Sequence, residues 1–465
     1  MSTRGRARRR AAALAAGFAL LAGPAAAEAH GIVQRSNLPI PEWLFAWAAA
    51  IVLIASFFAL GVLWARPQLE QPPWRPLPRG LGRALAGPGL RRICAVIGVA
   101  AFALVVAAGY LDPGEDIGNL ASTFILIVFW VGLAFASVLF GDLFAVFSPW
   151  RAVRLPGLRP YPERWGRYPA ALALLGFTWI ELVGQWGGSP PLLASAALAY
   201  TAYTLAMQYV FGTEAWTQRG EAFAVYFGLF ARLSVWERRG DEVGVRRPLG
   251  GLARLDLVPG TVAFVCVMIG TVTYDGFGQG QLGRDAIAAL TRGLDGLLGD
   301  DLALGTARTL GLLAGVALVA GFYRLGIAGA RSVGGRLDAA RLRGAFVHSL
   351  VPVAFVYVAA HYLTFLLFEG QAAITLASDP FGSGWNLLGT VARGIDYSLL
   401  DTDATWYLQV GLVVCGHVAA LVLAHDRALS LYRDPRLAVR SQYWMLAVMV
   451  GFTSLALWLL TQAAA

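Results

Sequence analysis

Lysine is absent from this chain, and all 37 of its basic residues are arginine. Charge of either sign is scarce: only 14% of the 465 residues are Asp, Glu or Arg, against 57% hydrophobic. A soluble domain carries roughly a quarter charged residues, so an ordinary soluble enzyme is excluded. The three cysteines, Cys94, Cys266 and Cys415, each sit inside an apolar run, and no CxxC spacing occurs. That excludes a disulfide scaffold and a zinc knuckle, and suits small packing residues. HExxH, GxSxG and P-loop patterns are missing as well. Histidine is rationed to five residues.

What the chain has instead is length in its apolar runs. Mean hydropathy is +0.61, and several runs exceed the roughly 18 residues a bilayer crossing requires. The expected fold is all-α, a polytopic transmembrane bundle of about ten spans. Their positions are 43–65, 92–111, 121–147, 168–186, 191–211, 257–275, 303–323, 344–368, 405–425 and 441–462. The net charge of +9 could suggest nucleic acid, but the Arg residues gather in alternate loops. Segments 66–91, 150–167, 212–256, 324–343 and 426–440 are Arg-rich, whereas 112–120, 276–302 and 369–404 lean acidic. The positive-inside rule then places the Arg-rich loops in the cytoplasm and both mature termini outside, as in a bacterial inner-membrane protein. The partner this implies is a lipid bilayer, not a nucleic acid.

The start, "MSTRGRARRRAAALAAGFALLAGPAAAEAHG", has a basic region, an apolar stretch and small residues before His30. It reads as a signal peptide over 1–29. Cleavage after Ala29 leaves His30 at the new N-terminus, where amine and imidazole together suit a metal such as copper. Cleavage after Ala27 leaves Glu28 there instead. An exterior segment, 30–42, follows. Spans one to five occupy 43–211 and spans six to ten 257–462, with a cytoplasmic loop, 212–256, between them. In that loop 219–240 places Phe223, Phe227, Phe230 and Leu233 at helical spacing beside Glu221 and Arg232, as an interfacial amphipathic helix would. Segment 379–403, rich in Gly, Asp and aromatics, is expected to cap an outward-facing cavity.

Polar groups inside spans cost free energy and therefore mark candidate sites. At 1.5 Å per residue, His417 lies about 18 Å, His361 about 10 Å and Glu181 about 8 Å below the outer ends of their spans. Gln185 and Gln409 are at similar or shallower depth, and Asp275 is at the outer mouth. His361, His417 and Glu181 are thus candidate metal ligands for Zn, Mn or Cu around an activated water, or proton carriers, or a hydrogen-bonded trio holding helices together. A second set on the cytoplasmic side comprises His348, His425 and Asp426. Asp142 ends the third span, where pairing with a loop Arg is expected. His348 with His425 is the only pair close to the geometry of a bis-His haem. Glu214 and Glu221 are expected at the cytoplasmic interface.

Several stretches carry a resemblance: "AHGIVQRSNLPIPEWLFAWAAA", "FGDLFAVFSPWRA", "TWIELV", "GEAFAVYFGLFARLSVW", "TVTYDGF" and "WYLQVGLVVCGHVAALVLAHDRAL". They resemble bacterial polytopic membrane proteins of the fenitrothion hydrolase family, over nearly the whole chain from His30 onward. The resemblance implies hydrolysis of the aryl ester bond of organophosphorothioates and assigns no residue a role. Three functions stay open on the sequence: a hydrolase taking an apolar substrate from the bilayer, a transporter for a small solute or metal ion, and a subunit that binds haem or copper.

Overall fold

The computed structural model describes residues 42–70, 73–112, 114, 118–184, 188–333, 338–432 and 434–464. The signal peptide, His30 and Gln185 lie outside them.

Long apolar runs become long helices because a backbone without water must satisfy its own hydrogen bonds. In chain order these are α1 (Glu42–Leu63), α2 (Arg79–Ala86) running through Gly87 into α3 (Pro88–Leu111), and α4 (Leu120–Phe140). Then come α5 (Tyr168–Leu182), α6 (Pro190–Phe211), α7 (Thr213–Arg219), α8 (Ala222–Ala231), α9 (Thr261–Gln279), α10 (Gln281–Leu298) and α11 (Asp300–Ser332). The set closes with α12 (Ala339–His361), α13 (Thr402–Leu431) and α14 (Pro435–Thr461). Among the described residues eight helices are long and apolar enough to cross a membrane: the α2–α3 unit, α1, α4, α9 and α11 to α14. This is an integral, multi-pass helical membrane protein. At the positions of the expected fourth and fifth spans the helices differ in kind. α5 has 15 residues, about 22 Å long, and α6 interrupts its apolar run with Tyr, Thr and Gln.

Two segments depart from the sequence reading. The stretch over 219–240 is not a surface helix: α8 is buried on every side, through Ala222, Val225, Tyr226 and Leu229 as well as Phe223, Phe227 and Phe230. A helix apolar all round belongs in a core. Glu221 is likewise fully buried rather than interfacial, and it caps α8 by accepting from Phe223 N at 2.9 Å and Ala224 N at 2.7 Å. Tyr200 OH donates to it at 2.6 Å. An exposed amphipathic helix does occur as α10, inside the segment 276–302 expected to be an acidic loop.

After α8 the chain forms a hairpin, β2 (Trp236–Arg239) and β3 (Glu242–Arg246), with β1 (Trp74–Pro76) paired antiparallel on the other edge of β3. This small sheet marks one end of the bundle, the sheet end. The Arg-rich segments meet there: Arg151 pairs with Glu214 at 3.4 Å, Arg427 with Glu70 at 3.0 Å, and Tyr432 OH donates to Ala330 O. The opposite, cap end carries 379–403. Its residues 379–401 form neither helix nor strand and fold back on Leu363–Ser378. Gln371 Nε2 donates to Asp396 O, Asp396 N donates to Gln371 Oε1, and Thr390 Oγ1 donates to Ile374 O.

Glu237 holds the sheet electrostatically. Its carboxylate lies 3.0 Å from Arg239, 2.9 Å from Arg254 and 3.9 Å from Arg246. Burial works to raise its pKa, but the Arg239 hydrogen bond and the Arg254 and Arg246 charges outweigh burial and hold it below the ordinary carboxylate range. A depressed folded-state pKa adds stability above the unfolded value of about 4.3, and that stability is lost as pH falls through the folded value. Protection of 236–246 from proteolysis is therefore expected to stay flat from neutral pH down to about 5 and to fall below about pH 4. Glu237→Gln should start from lower protection and show a flatter acid response. An unchanged acid profile in that variant would remove Glu237 as the cause.

Candidate functional site

Asp275, on the last turns of α9, is the acceptor at the centre of a buried cluster. His361 Nε2 lies 2.8 Å from Asp275 Oδ2, and Tyr362 OH donates to the same oxygen at 2.7 Å. The Gln279 amide reaches Oδ1 at 3.4 Å. All of Asp275, His361 and Tyr362 are buried. The fold produces this meeting: α9 and α12 pack side by side, both running from the sheet end toward the cap end, so Asp275 and the C-terminal His361 arrive at the same depth. With Nε2–H given to Asp275, the free imidazole nitrogen Nδ1 faces Gly276. A Cβ on Gly276 would sit 3.8 Å from it. His361 also lines a cavity of about 30 Å³ shared with Tyr357, Ala360 and Val413, roomy enough for a water molecule.

Glu181, near the end of α5, sits within electrostatic reach of Asp275, and the Tyr226 and Tyr362 hydroxyls lie within reach of Glu181. Its Oε2 is sealed from solvent without a hydrogen-bond partner among the described residues, and so are the Tyr226 hydroxyl and Trp130 Nε1. Trp130 stacks on Tyr226 with ring centroids 4.5 Å apart. Orphaned buried polar atoms are uncommon and each calls for a cause. Three of them stand beside the His–Asp–Tyr network.

The remaining candidates separate from this cluster. His417 is fully buried on α13, but its Nδ1 is spent on the Val413 carbonyl of its own helix at 2.8 Å, and its Nε2 has no partner among the described residues. Its ring meets Tyr357, with centroids 6.2 Å apart, and not His361. Gln409 donates to the Ala360 carbonyl at 2.7 Å, tying α13 to the end of α12. His361, His417 and Glu181 are therefore not assembled round one point. Among the described residues no three His, Cys, Asp or Glu side chains are grouped to hold a metal ion. The described donors are therefore not grouped as a Zn, Mn or Cu centre requires.

At the sheet end His425 and Asp426 form a clasp. Asp426 Oδ1 accepts from Trp64 Nε1 at 2.8 Å and from Gln68 N at 2.6 Å, and Oδ2 accepts from Leu69 N at 3.1 Å. His425 Nε2 lies 3.1 Å from Trp64 O, and Gln442 Nε2 lies 3.2 Å from its Nδ1. Both imidazole nitrogens are thus engaged, leaving none to pair with buried His348 on a haem iron. Asp142 makes no ion pair with the described residues; its Oδ1 accepts from Ala145 N at 3.0 Å and caps the following turn. Asp426→Ala strands three donors, so detergent-solubilised protein should lose about 3 kcal/mol or more. Asp426→Asn, which keeps one acceptor oxygen, should lose less. Equal melting curves for the two variants would contradict the clasp.

A cleft of about 1520 Å³ lies between α3, α4, α5 and α6. Its walls are almost entirely apolar, including Phe124, Phe129, Leu172, Phe177, Ile180 and Leu193. Residues Thr123–Gly132 of α4 wind as a π-helix, a rare geometry that recurs at functional sites, and its Phe124, Ile125, Val128, Phe129 and Gly132 face the cleft. An aromatic wall divides cleft from cluster: Phe177 and Phe223 line the cleft, 5.3 Å apart, and Trp130 stands behind Phe177 at 4.9 Å. Trp179 and Ile180, also lining the cleft, directly precede Glu181. Sequence reasoning missed Tyr362 and Tyr226, although Tyr362 stands next to a histidine already singled out. It also placed Asp275 among the supporting residues. No protein-family model, curated protein or solved structure matches the chain.

Proposed function

We propose that this protein moves a lipophilic small molecule through or out of the bilayer, coupled to proton binding at the Asp275–His361–Glu181 cluster. One observation carries the reading: a buried His–Asp–Tyr network with an orphaned carboxylate oxygen beside it adjoins an apolar cleft of about 1520 Å³. Ionisable groups are retained inside a membrane bundle where they bind substrate or carry protons. His361 and Asp275 share a proton, His361 Nδ1 exchanges it through the small cavity, and Glu181 is the second acceptor. Molecules enter the cleft sideways from lipid. The Arg concentration at the sheet end supports a cytoplasmic location for that end and an exterior location for both mature termini, in a bacterial inner membrane.

A second reading follows from the same dyad. A histidine held by a carboxylate at 2.8 Å is the arrangement of a general base, and it could activate water against an aryl phosphorothioate ester, as the fenitrothion hydrolase resemblance implies. Fenitrothion itself separates the two. Full-length protein is reconstituted in vesicles with an imposed pH gradient, and both the intact ester inside and the nitrophenolate released are measured. Gradient-dependent accumulation of intact ester supports transport. Stoichiometric nitrophenolate release supports hydrolysis and overturns transport, and neither signal above protein-free vesicles overturns both.

A further inference from the structure

The cleft has a polar end that its apolar walls do not explain. Among the described residues Arg164 is the one charged residue lining it, and it stands with Trp165 and Tyr168 at the sheet end. Arg164 is exposed. Trp150 also lines the cleft and is followed by Arg151; Arg151, Arg154 and Arg238 each lie within electrostatic reach of Arg91, as does Glu214. The acidic groups here are exposed Glu163, Glu214 paired with Arg151, Asp241 paired with Arg238 at 3.7 Å, and Asp142 within reach of Arg151. Arg164 itself makes no ion pair among the described residues, and it stands with a Trp and a Tyr at the level where such residues meet lipid headgroups.

Dimensions agree. Along α5 the lining runs from Tyr168 to Ile180, about 18 Å at 1.5 Å per residue. One leaflet of hydrocarbon is about 15 Å, half of about 30 Å. The volume of about 1520 Å³ exceeds the roughly 300–1,000 Å³ of sites for drug-sized ligands. An acyl chain fits this length, and an anion fits Arg164 at its polar end.

We propose that the cleft holds one anionic phospholipid of the sheet-end leaflet, its acyl chains between α4 and α5 and its phosphate on Arg164. This deepens the transport reading, which it rests on for the cleft as a substrate route, by naming an anionic amphiphile as the substrate class. Gly176 supplies the test variant, because a Cβ added there meets nothing within 4 Å and Phe in its place would fill the cleft.

The whole chain is reconstituted in phosphatidylcholine vesicles containing a minor fraction of phosphatidylglycerol and extracted in detergent, and both lipids retained are measured. Phosphatidylglycerol should be enriched at least about tenfold over its bulk fraction, corresponding to about 1.4 kcal/mol of preference. Gly176→Phe should abolish the enrichment, and Arg164→Gln should reduce it with the melting temperature unchanged. Should the Phe variant not fold, exposed Arg164 carries the test. Equal retention of the two lipids, or enrichment unaffected by either variant, overturns the proposal. Lipid retention without fenitrothion accumulation leaves this site standing and removes the transport of that probe; accumulation without retention does the reverse.

Discussion

Asp275→Asn is expected to cut gradient-driven accumulation by at least about 100-fold while leaving a folded bundle. Transferring binding energy of about 1.4 kcal/mol changes an equilibrium tenfold. Asp275 Oδ2 receives two hydrogen bonds, from His361 and Tyr362, each worth about 1.5–3 kcal/mol when the acceptor is charged. Asn retains one oxygen of similar shape but no charge, so His361 loses the anion that stabilises its protonated form. Some stability goes too, about 2 kcal/mol, which a melting curve would register without collapse. Tyr362→Phe removes only one donor and should be milder. If Asp275→Asn transports normally, the cluster is structural, and the network merely holds α9 to α12.

The second large effect concerns two glycines that both line the cleft and should behave oppositely. A Cβ on Gly98 of α3 would sit 1.8 Å from the Phe147 carbonyl oxygen and 2.7 Å from its carbon. No real contact is that short, and the obstacle is backbone, which no side-chain rotation relieves. Phe147 ends the turn Phe144–Phe147 that packs on α3, so Gly98→Val must push the turn away and open the cleft at its sheet end. Overpacking of this kind typically costs about 1–3 kcal/mol and sometimes more. The upper part of that range is expected here, with poor yield of folded protein in detergent. Gly176→Val, facing open space, should be neutral or slightly stabilising, because glycine is a poor helix former. Equal yields for the two variants would contradict the packing described between α3 and the Phe144–Phe147 turn.

The long helices were legible from apolar runs alone, because a bilayer-length stretch without charges has few other solutions. Depth was legible too: Glu181, Asp275 and His361 fall in the same half of the bundle. Azimuth was not. Depth along a span does not say which neighbour a side chain faces, and Asp275 and His361 are 86 residues apart in sequence. His417 is as rare as His361 and lies deeper in its span, which made it a candidate partner, but a carbonyl four residues back on its own helix satisfies one nitrogen locally. For α8 the residues at one helical spacing were read and the equally apolar opposite face was not. The strands escaped notice because they are three to five residues long, although the Gly240–Asp241 turn between β2 and β3 carries a hairpin signal.

Proton movement tests the central claim most directly. Vesicles containing the full-length protein and a trapped pH indicator are given fenitrothion without an imposed gradient. The account predicts a probe-dependent pH change inside the vesicles, absent with Asp275→Asn and retained with Asp426→Asn. Proton movement that survives in Asp275→Asn, or that never exceeds the protein-free vesicles, would contradict it.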